Sequence, residues 1–170
     1  VSILAGTSID VFHQFLGKEA AVVRVMPNTP CMLKEGMTGI TWSQTVTHED
    51  KLLIRALFDA VGEIIEIEEP LQHVVTGISG SGPAFFYALA QDVVQEGVAQ
   101  GLTDKEALTL FAQTLVGAGK MLLTSNKAPE ALIHQVVSPG GTTEAGLNEL
   151  AKLQLGTGMV QVIRAAINRS

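Results

Sequence analysis

The sequence predicts an α/β segment followed by an all-helical one. Three observations carry that expectation. Over residues 1–70, short β-branched runs alternate with stretches whose apolar residues recur at helical spacing, as in a sheet with crossover helices. After Pro70 the strand pattern stops and helical periodicity alone remains, punctuated by Gly and Pro. Hydrophobic residues make up 46% of the 170-residue chain and charged residues only 16%, so the helical part carries apolar faces that need cover. The expected domains are residues 1–70 and 71–170.

The elements follow in order. Val1–Ala5 reads as a strand ended by Gly6, and Ser8 as the cap of a short helix through Leu16. Ala21–Met26 (AVVRVM) is short and β-branched, hence a strand, closed by Pro27-Asn28-Thr29-Pro30. Met37–Trp42 is a further strand. Thr47-His48-Glu49-Asp50 resembles a capping box, and the helix behind it repeats Leu52, Leu53, Ala56, Leu57, Ala60 and Val61 at i, i+3, i+4. Glu63–Glu68 (EIIEIE) is the last strand. Beyond Pro70, Ala84–Gln100 is apolar all round in its first half, which predicts burial on every side. Thr103-Asp104-Lys105-Glu106 is a capping box for a helix to about Leu123, in which Gly117 and Gly119 suggest close approach by another helix. Pro129 opens a short helix to about Val137. A further helix follows Thr142, and a last one covers roughly residues 157–168. The α/β piece has few strands for a free-standing doubly wound sheet, and no G-x-G-x-x-G follows a strand.

Composition bounds the function. Net charge is −6 with a sequence pI of about 5.1, and no Lys/Arg cluster occurs, so no nucleic-acid surface is expected. Mean hydropathy is +0.31, high enough that the chain either buries an unusual share of itself or shares its core with another subunit. A membrane span is the rival. The longest uncharged run, Leu71–Gln91, is interrupted by Gly77, Gly80, Gly82 and Pro83, so no membrane is expected. The single cysteine, Cys31, fits a reducing, cytoplasmic compartment. The chain starts at Val1 inside an apolar run with no signal or transit peptide, which reads as a fragment or a processed chain.

Two Gly- and hydroxyl-rich stretches precede helices: Gly80-Ser81-Gly82-Pro83, and Ser138-Pro139-Gly140-Gly141-Thr142-Thr143. A helix N-terminus offers free N–H groups and a partial positive charge, and Gly admits a ligand to the backbone. Each suits a small carboxylate or phosphate; the plain alternative is an ordinary turn into a helix. In the second stretch the threonines are expected to cap the helix. Gly77-Ile78-Ser79-Gly80-Ser81 falls short of G-x-S-x-G by its last residue and has no preceding strand. His13, His48, His73 and His134 show no ligand spacing, so no metal site is expected. Met26-Pro27-Asn28 ends a strand, where α/β sheets place ligands.

Together these stretches resemble a known family. Ser138–Thr143 with Glu144-Ala145-Gly146-Leu147 and Leu150 looks like the signature of pyrroline-5-carboxylate reductase. Val75–Ala84 is similar to that family's dimerisation-helix opening, Val25–Pro30 to its sixth-strand motif, and Gly119-Lys120-Met121 to its central helix. The order agrees across nearly the whole chain, while the family's N-terminal dinucleotide fingerprint does not occur.

The resemblance implies the α/β remnant of a Rossmann-type NAD(P)-binding domain, residues 1–70, followed by an all-α dimerisation and substrate-binding domain, residues 71–170. It implies reduction of 1-pyrroline-5-carboxylate to proline with NADP or NAD as cofactor, by a cytoplasmic homo-oligomer built from interlocked dimers. The substrate carboxylate is then expected on the N–H groups around Gly140, Gly141 and Thr142, helped by Ser138. Thr143 is expected as the catalytic residue, hydrogen-bonding the ring nitrogen. Ala5, Met26, Pro27 and Asn28 are expected to flank the nicotinamide. This chain alone, without a phosphate-binding turn, is expected to be inactive. Two alternatives stand beside this: a non-catalytic helical dimerisation module, and a related dehydrogenase acting on another small carboxylate, which calls for a lysine after a glycine loop; Lys120 follows Gly119 in mid-helix, where its place on the polar stripe favours plain solvation.

Overall fold

The computed structural model describes all 170 residues. They form two compact units, Val1–Phe85 with Gln161–Ser170, and Phe86–Val160. The division therefore falls inside helices, away from the change of sequence pattern at Pro70.

The first unit is built on a mixed sheet. Strand β1 (Val23–Met26) pairs antiparallel with β2 (Gly36–Trp42), and β2 pairs parallel with β3 (Gly62–Glu66). A 3₁₀ turn over Thr29–Leu33, with Pro30 near its start, reverses the chain between β1 and β2. A short turn is all that an antiparallel pair requires. Helix α1 (Ile9–Leu16) precedes the sheet and α2 (His48–Asp59) joins β2 to β3. Period-two alternation turns Val23 and Val25 inward, where they meet Ile40 and Val46; Trp42, Ile54, Phe58 and Ile64 pack around them. Burial of each such side chain contributes about 1.5–3 kcal/mol.

The expected strand at Val1–Ala5 shrinks to a single residue. Ser2 bridges Arg24 in parallel, its N–H donating to the Val23 carbonyl at 2.8 Å while Val25 N–H donates back at 2.9 Å. Val1, Ile3 and Leu4 stay exposed. Apolar side chains extend a ladder when something covers them, and here nothing does.

Polar side chains fasten β1 and β2 to the segments that follow the sheet. Arg24 meets Glu69 at 2.8 Å, and the same carboxylate oxygen accepts the Ile9 N–H at 2.6 Å. Buried Gln72, the first residue of α3 (Gln72–Val75), donates to Thr41 Oγ1 at 3.0 Å, and Thr41 donates to the Ile67 carbonyl at 2.8 Å. Thr76–Gly80 then winds as a π turn, closed by an i→i+5 bond from Ser81 N–H to the Thr76 carbonyl at 2.8 Å, and runs into α4 (Gly82–Ala99). The chain is thus wound from Gln72 to Ala99, and the expected loop ahead of Pro83 does not exist.

The second unit holds most of α4, then α5 (Asp104–Thr124), α6 (Pro129–Val136), α7 (Thr142–Lys152) and the start of α8 (Leu155–Arg169). The starts of α5 and α6 follow the expected local rules: Thr103 and Glu106 form a reciprocal capping box, and Pro129 opens α6. Its packing does not follow expectation. Phe86, Tyr87 and Leu89, expected to be buried all round, are exposed, and Ala107 is the one buried hydrophobic residue of this unit. Close approach occurs at Gly97, where an added Cβ would lie 2.8 Å from that of Ala107. Gly117 and Gly119 have nothing within 4 Å. The α4–α5 turn forces contact at its base, which periodicity within either helix does not reveal. By length and composition alone, α5, with its 21 residues, is also apolar enough to cross a membrane; the run Leu71–Gln91 is broken by the π turn.

The Thr103 backbone N–H and hydroxyl both donate to Glu106, at 2.8 and 2.7 Å, and hold its carboxyl below the usual glutamate range. A lowered folded-state pKa adds stability above the ordinary glutamate value, and that stability is lost as pH falls through the lowered one. Thr103→Ala should return the Glu106 titration, followed by carboxyl NMR, toward its ordinary value and fray the start of α5. An unchanged titration would contradict the capping box.

Candidate functional site

The loop Ser138–Thr143 turns tightly into α7. Gly140 adopts φ +71°, the left-handed region, with nothing within 4 Å of where a Cβ would stand. Gly141, not a threonine, is the N-cap, with extended backbone and no side-chain bond. Thr142 and Thr143 are the first two helical residues, so the expected threonine cap is displaced by one position. A Cβ on Gly141 would collide with Ser138 Oγ, so glycine lets the chain fold back there.

The loop also settles which donors are free. Gly141 N–H donates to the Ser138 carbonyl at 2.9 Å, and Gly140 N–H to Glu144 Oε2 at 2.7 Å. Ala145 N–H closes the first helical bond on Gly141. The N–H groups of Thr142, Thr143 and Glu144 have no acceptor, as expected in a first turn. Thr143 is half-buried, while Ser138, Gly140 and Thr142 are exposed. Three open N–H groups thus lie beside two hydroxyls, with the Gly140 N–H held by an internal carboxylate, an arrangement whose chemistry suits an anion. Sequence reasoning passed over Glu144. Its signal was the spacing, since an acidic residue three positions after an N-cap commonly reaches back over the helix start.

The other group lies in the first unit. Ser2 and Arg24 pair in parallel, so the segment ending at Ala5 and the strand ending at Met26 finish on the same edge. Ala5 is exposed; Met26, Pro27 and Asn28 are half-buried. Asn28 fastens neighbouring segments. Its Oδ1 accepts from Met37 N–H at 2.9 Å, and its Nδ2 donates to the carbonyl and hydroxyl of Ser79, both at 3.3 Å. An exposed alanine just past the Ser2 bridge and a methionine and a proline at the carboxyl end of β1 offer a small, apolar surface suited in chemistry to the flat nicotinamide end of a dinucleotide. No glycine-rich phosphate turn of the G-x-G-x-x-G kind occurs in the 170 residues. The two expected groups thus stand in different compact units, Ala5 and Met26–Asn28 in the first and Ser138–Thr143 in the second. Lys120 is exposed in mid-α5.

A wide cavity lies elsewhere in the first unit, lined by α1 residues such as Asp10 and His13, by Thr41, Trp42 and Ser43, and by Glu66 and Glu69. Two of its groups are already engaged: Trp42 Nε1 donates to Glu66 at 2.6 Å, and His13 Nε2 lies 3.0 Å from the carbonyl of Ala20.

Comparison with known proteins agrees over the whole chain. The family model for pyrroline-5-carboxylate reductase dimerisation matches residues 69–170. Pyrroline-5-carboxylate reductase 1 of Bacillus subtilis is 41% identical over 170 residues, which is all of this chain and 57% of the relative. The Arabidopsis thaliana pyrroline-5-carboxylate reductase is 38% identical over all of this chain and 61% of the relative. The crystal structure of Plasmodium falciparum pyrroline carboxylate reductase with NADP bound superposes with a TM-score of 0.93 at 33% identity, covering 99% of this chain and 68% of that one. The chain thus spans about three fifths of the length of these curated relatives.

Gly140→Ala forces a Cβ into the left-handed region at a cost of about 1–2 kcal/mol. Thermal unfolding should show that loss. An unchanged Tm would mean that the turn is not held in this form.

Proposed function

The chain belongs to the pyrroline-5-carboxylate reductase family, and on that premise we propose that it supplies the catalytic and oligomerising part of a cytoplasmic enzyme that reduces 1-pyrroline-5-carboxylate to proline. The observation that carries the proposal is the Ser138–Thr143 turn with its open N–H groups at the start of α7.

In this reading the substrate carboxylate sits on the Thr142 and Thr143 N–H groups. It takes the Gly140 N–H as well when Glu144 swings away, while Ser138 and Gly141 hold the turn. Thr143 is half-buried and its hydroxyl is within reach of a ring held by its carboxylate at that turn; it hydrogen-bonds the ring nitrogen. The reduced cofactor, NADPH or NADH, when bound, would supply the hydride for the C=N carbon and leave as NADP or NAD. A ring nitrogen protonated beforehand becomes the amine of proline without a further proton, so no strong general acid is required of this chain. Ala5, Met26, Pro27 and Asn28 form the surface against which the nicotinamide lies. The protein contributes position and electrostatics.

The proposal includes assembly. Leu108, Leu110, Val116, Leu122 and Leu123 of α5 are exposed, as are Tyr87, Leu89 and Val93 of α4. A second copy covers these faces, with α4 and α5 of the two chains interlocked about a two-fold axis. The open space at Gly117 and Gly119 is where a partner helix approaches. Lys105, Glu106 and Lys120 on α5 favour protein over lipid as the cover.

The 170-residue chain should show negligible turnover of NADPH with pyrroline-5-carboxylate, and gain it when fused to the N-terminal dinucleotide-binding part of the Bacillus subtilis relative. In that fusion Thr143→Val should lower kcat/KM by the equivalent of about 1–3 kcal/mol, the range for a stranded polar partner. Unchanged kcat/KM would remove Thr143 from the site.

A further inference from the structure

Met26 is held from behind by a turn of uncommon form. Single π turns inside helices are rare and occur frequently at functional sites. The turn Thr76–Gly80 touches the end of β1 at two points. Asn28 donates from Nδ2 to the Ser79 carbonyl and hydroxyl, both at 3.3 Å. At Gly80 a Cβ would lie 2.8 Å from Met26 Cε, so the absence of a side chain lets the methionine tip rest against the turn. On its other side Gly77 presses against Ile167 of α8, with the Ile163 carbonyl at 3.2 Å from where its Cβ would stand. In an α-helix residues three apart lie nearly above one another. The wider π turn rotates them apart, which is how Gly77 meets α8 while Gly80 meets Met26.

We propose that this π turn is a positioning device for the reduction, and that Gly80 and Ser79 are its positioning residues. They set the Met26 tip and the Asn28 carboxamide where the nicotinamide lies, without themselves touching the reacting atoms. The inference rests on the reductase reading above. Hydride transfer is sensitive to this, since a misplacement of about 1 Å costs on the order of a hundredfold in rate.

Gly80→Ala tests it, because its methyl group displaces the flexible end of Met26 and no backbone. In the 170-residue chain with ¹³C-labelled methionine methyl groups, the Met26 signal should move while Tm stays within a few degrees. Titrated with reduced nicotinamide mononucleotide, the parent chain should shift that signal, and the variant should respond differently. In the active fusion, Gly80→Ala should lower kcat about tenfold to a hundredfold, the scale expected of misplacement, with KM for pyrroline-5-carboxylate within about twofold. Ser79→Ala should act in the same direction, and Ser79→Thr, which keeps the hydroxyl, should preserve the rate. A variant whose Met26 signal and kcat both match the parent would overturn the proposal. A folded parent fusion that binds NADPH yet leaves pyrroline-5-carboxylate unreduced would instead overturn the reductase reading, an outcome that comparison of Gly80→Ala with an active parent cannot produce.

Discussion

Uncovered apolar surface on the helical unit is the constraint from which the rest follows. Its helices meet closely at Gly97 and Ala107, and beyond that contact leucine and valine side chains face outward along both α4 and α5. Leu123 is 81% exposed, Tyr87 64% and Leu110 60%. At about 25 cal/mol per Å² of apolar surface, several such residues together represent more free energy than a marginally stable small domain possesses. In the proposed assembly such a unit gains its stability from a partner surface; the family model that matches residues 69–170 is one of dimerisation.

The first unit solves the opposite problem. Its core is small but closed, with Ile40 fully buried and Thr38, Thr41, Ser43 and Gln72 buried beside it. The buried Gln72 and Thr41 side chains find partners in the sheet and its following turn, which ties α3 to the strands by direction as well as by contact. That fixed docking places the π turn against β1. In the second unit the same logic operates at a helix start, where Gly140, Gly141 and Glu144 satisfy one another and leave the threonine N–H groups open. In each case the groups proposed to face a ligand depend on neighbours whose bonds are already complete.

What the sequence disclosed divides along the range of the forces involved. The capping boxes at Thr47–Asp50 and Thr103–Glu106 are local bargains between a hydroxyl, a carboxylate and nearby N–H groups, and both form as read. The strands ending at Met26, Trp42 and Glu66 were legible from β-branched runs. Features that depend on distant residues were not. A strand at Val1–Ala5 needs a covering layer; the π turn needs Ile167 and Met26 against its glycines; the helix contact at Gly97 needs the α4–α5 turn. The candidate loop was legible as Gly- and Thr-rich, but its cap fell on Gly141 because Ser138 folds back beneath that residue. Family resemblance named the chemistry, and geometry then showed which N–H groups of the loop are free.

Sedimentation equilibrium of the 170-residue chain at low micromolar concentration addresses the uncovered helical surface most directly. A dimer or larger assembly, with a Tm that rises with protein concentration, is the predicted result. A compact monomer that unfolds cooperatively at a concentration-independent Tm would contradict it.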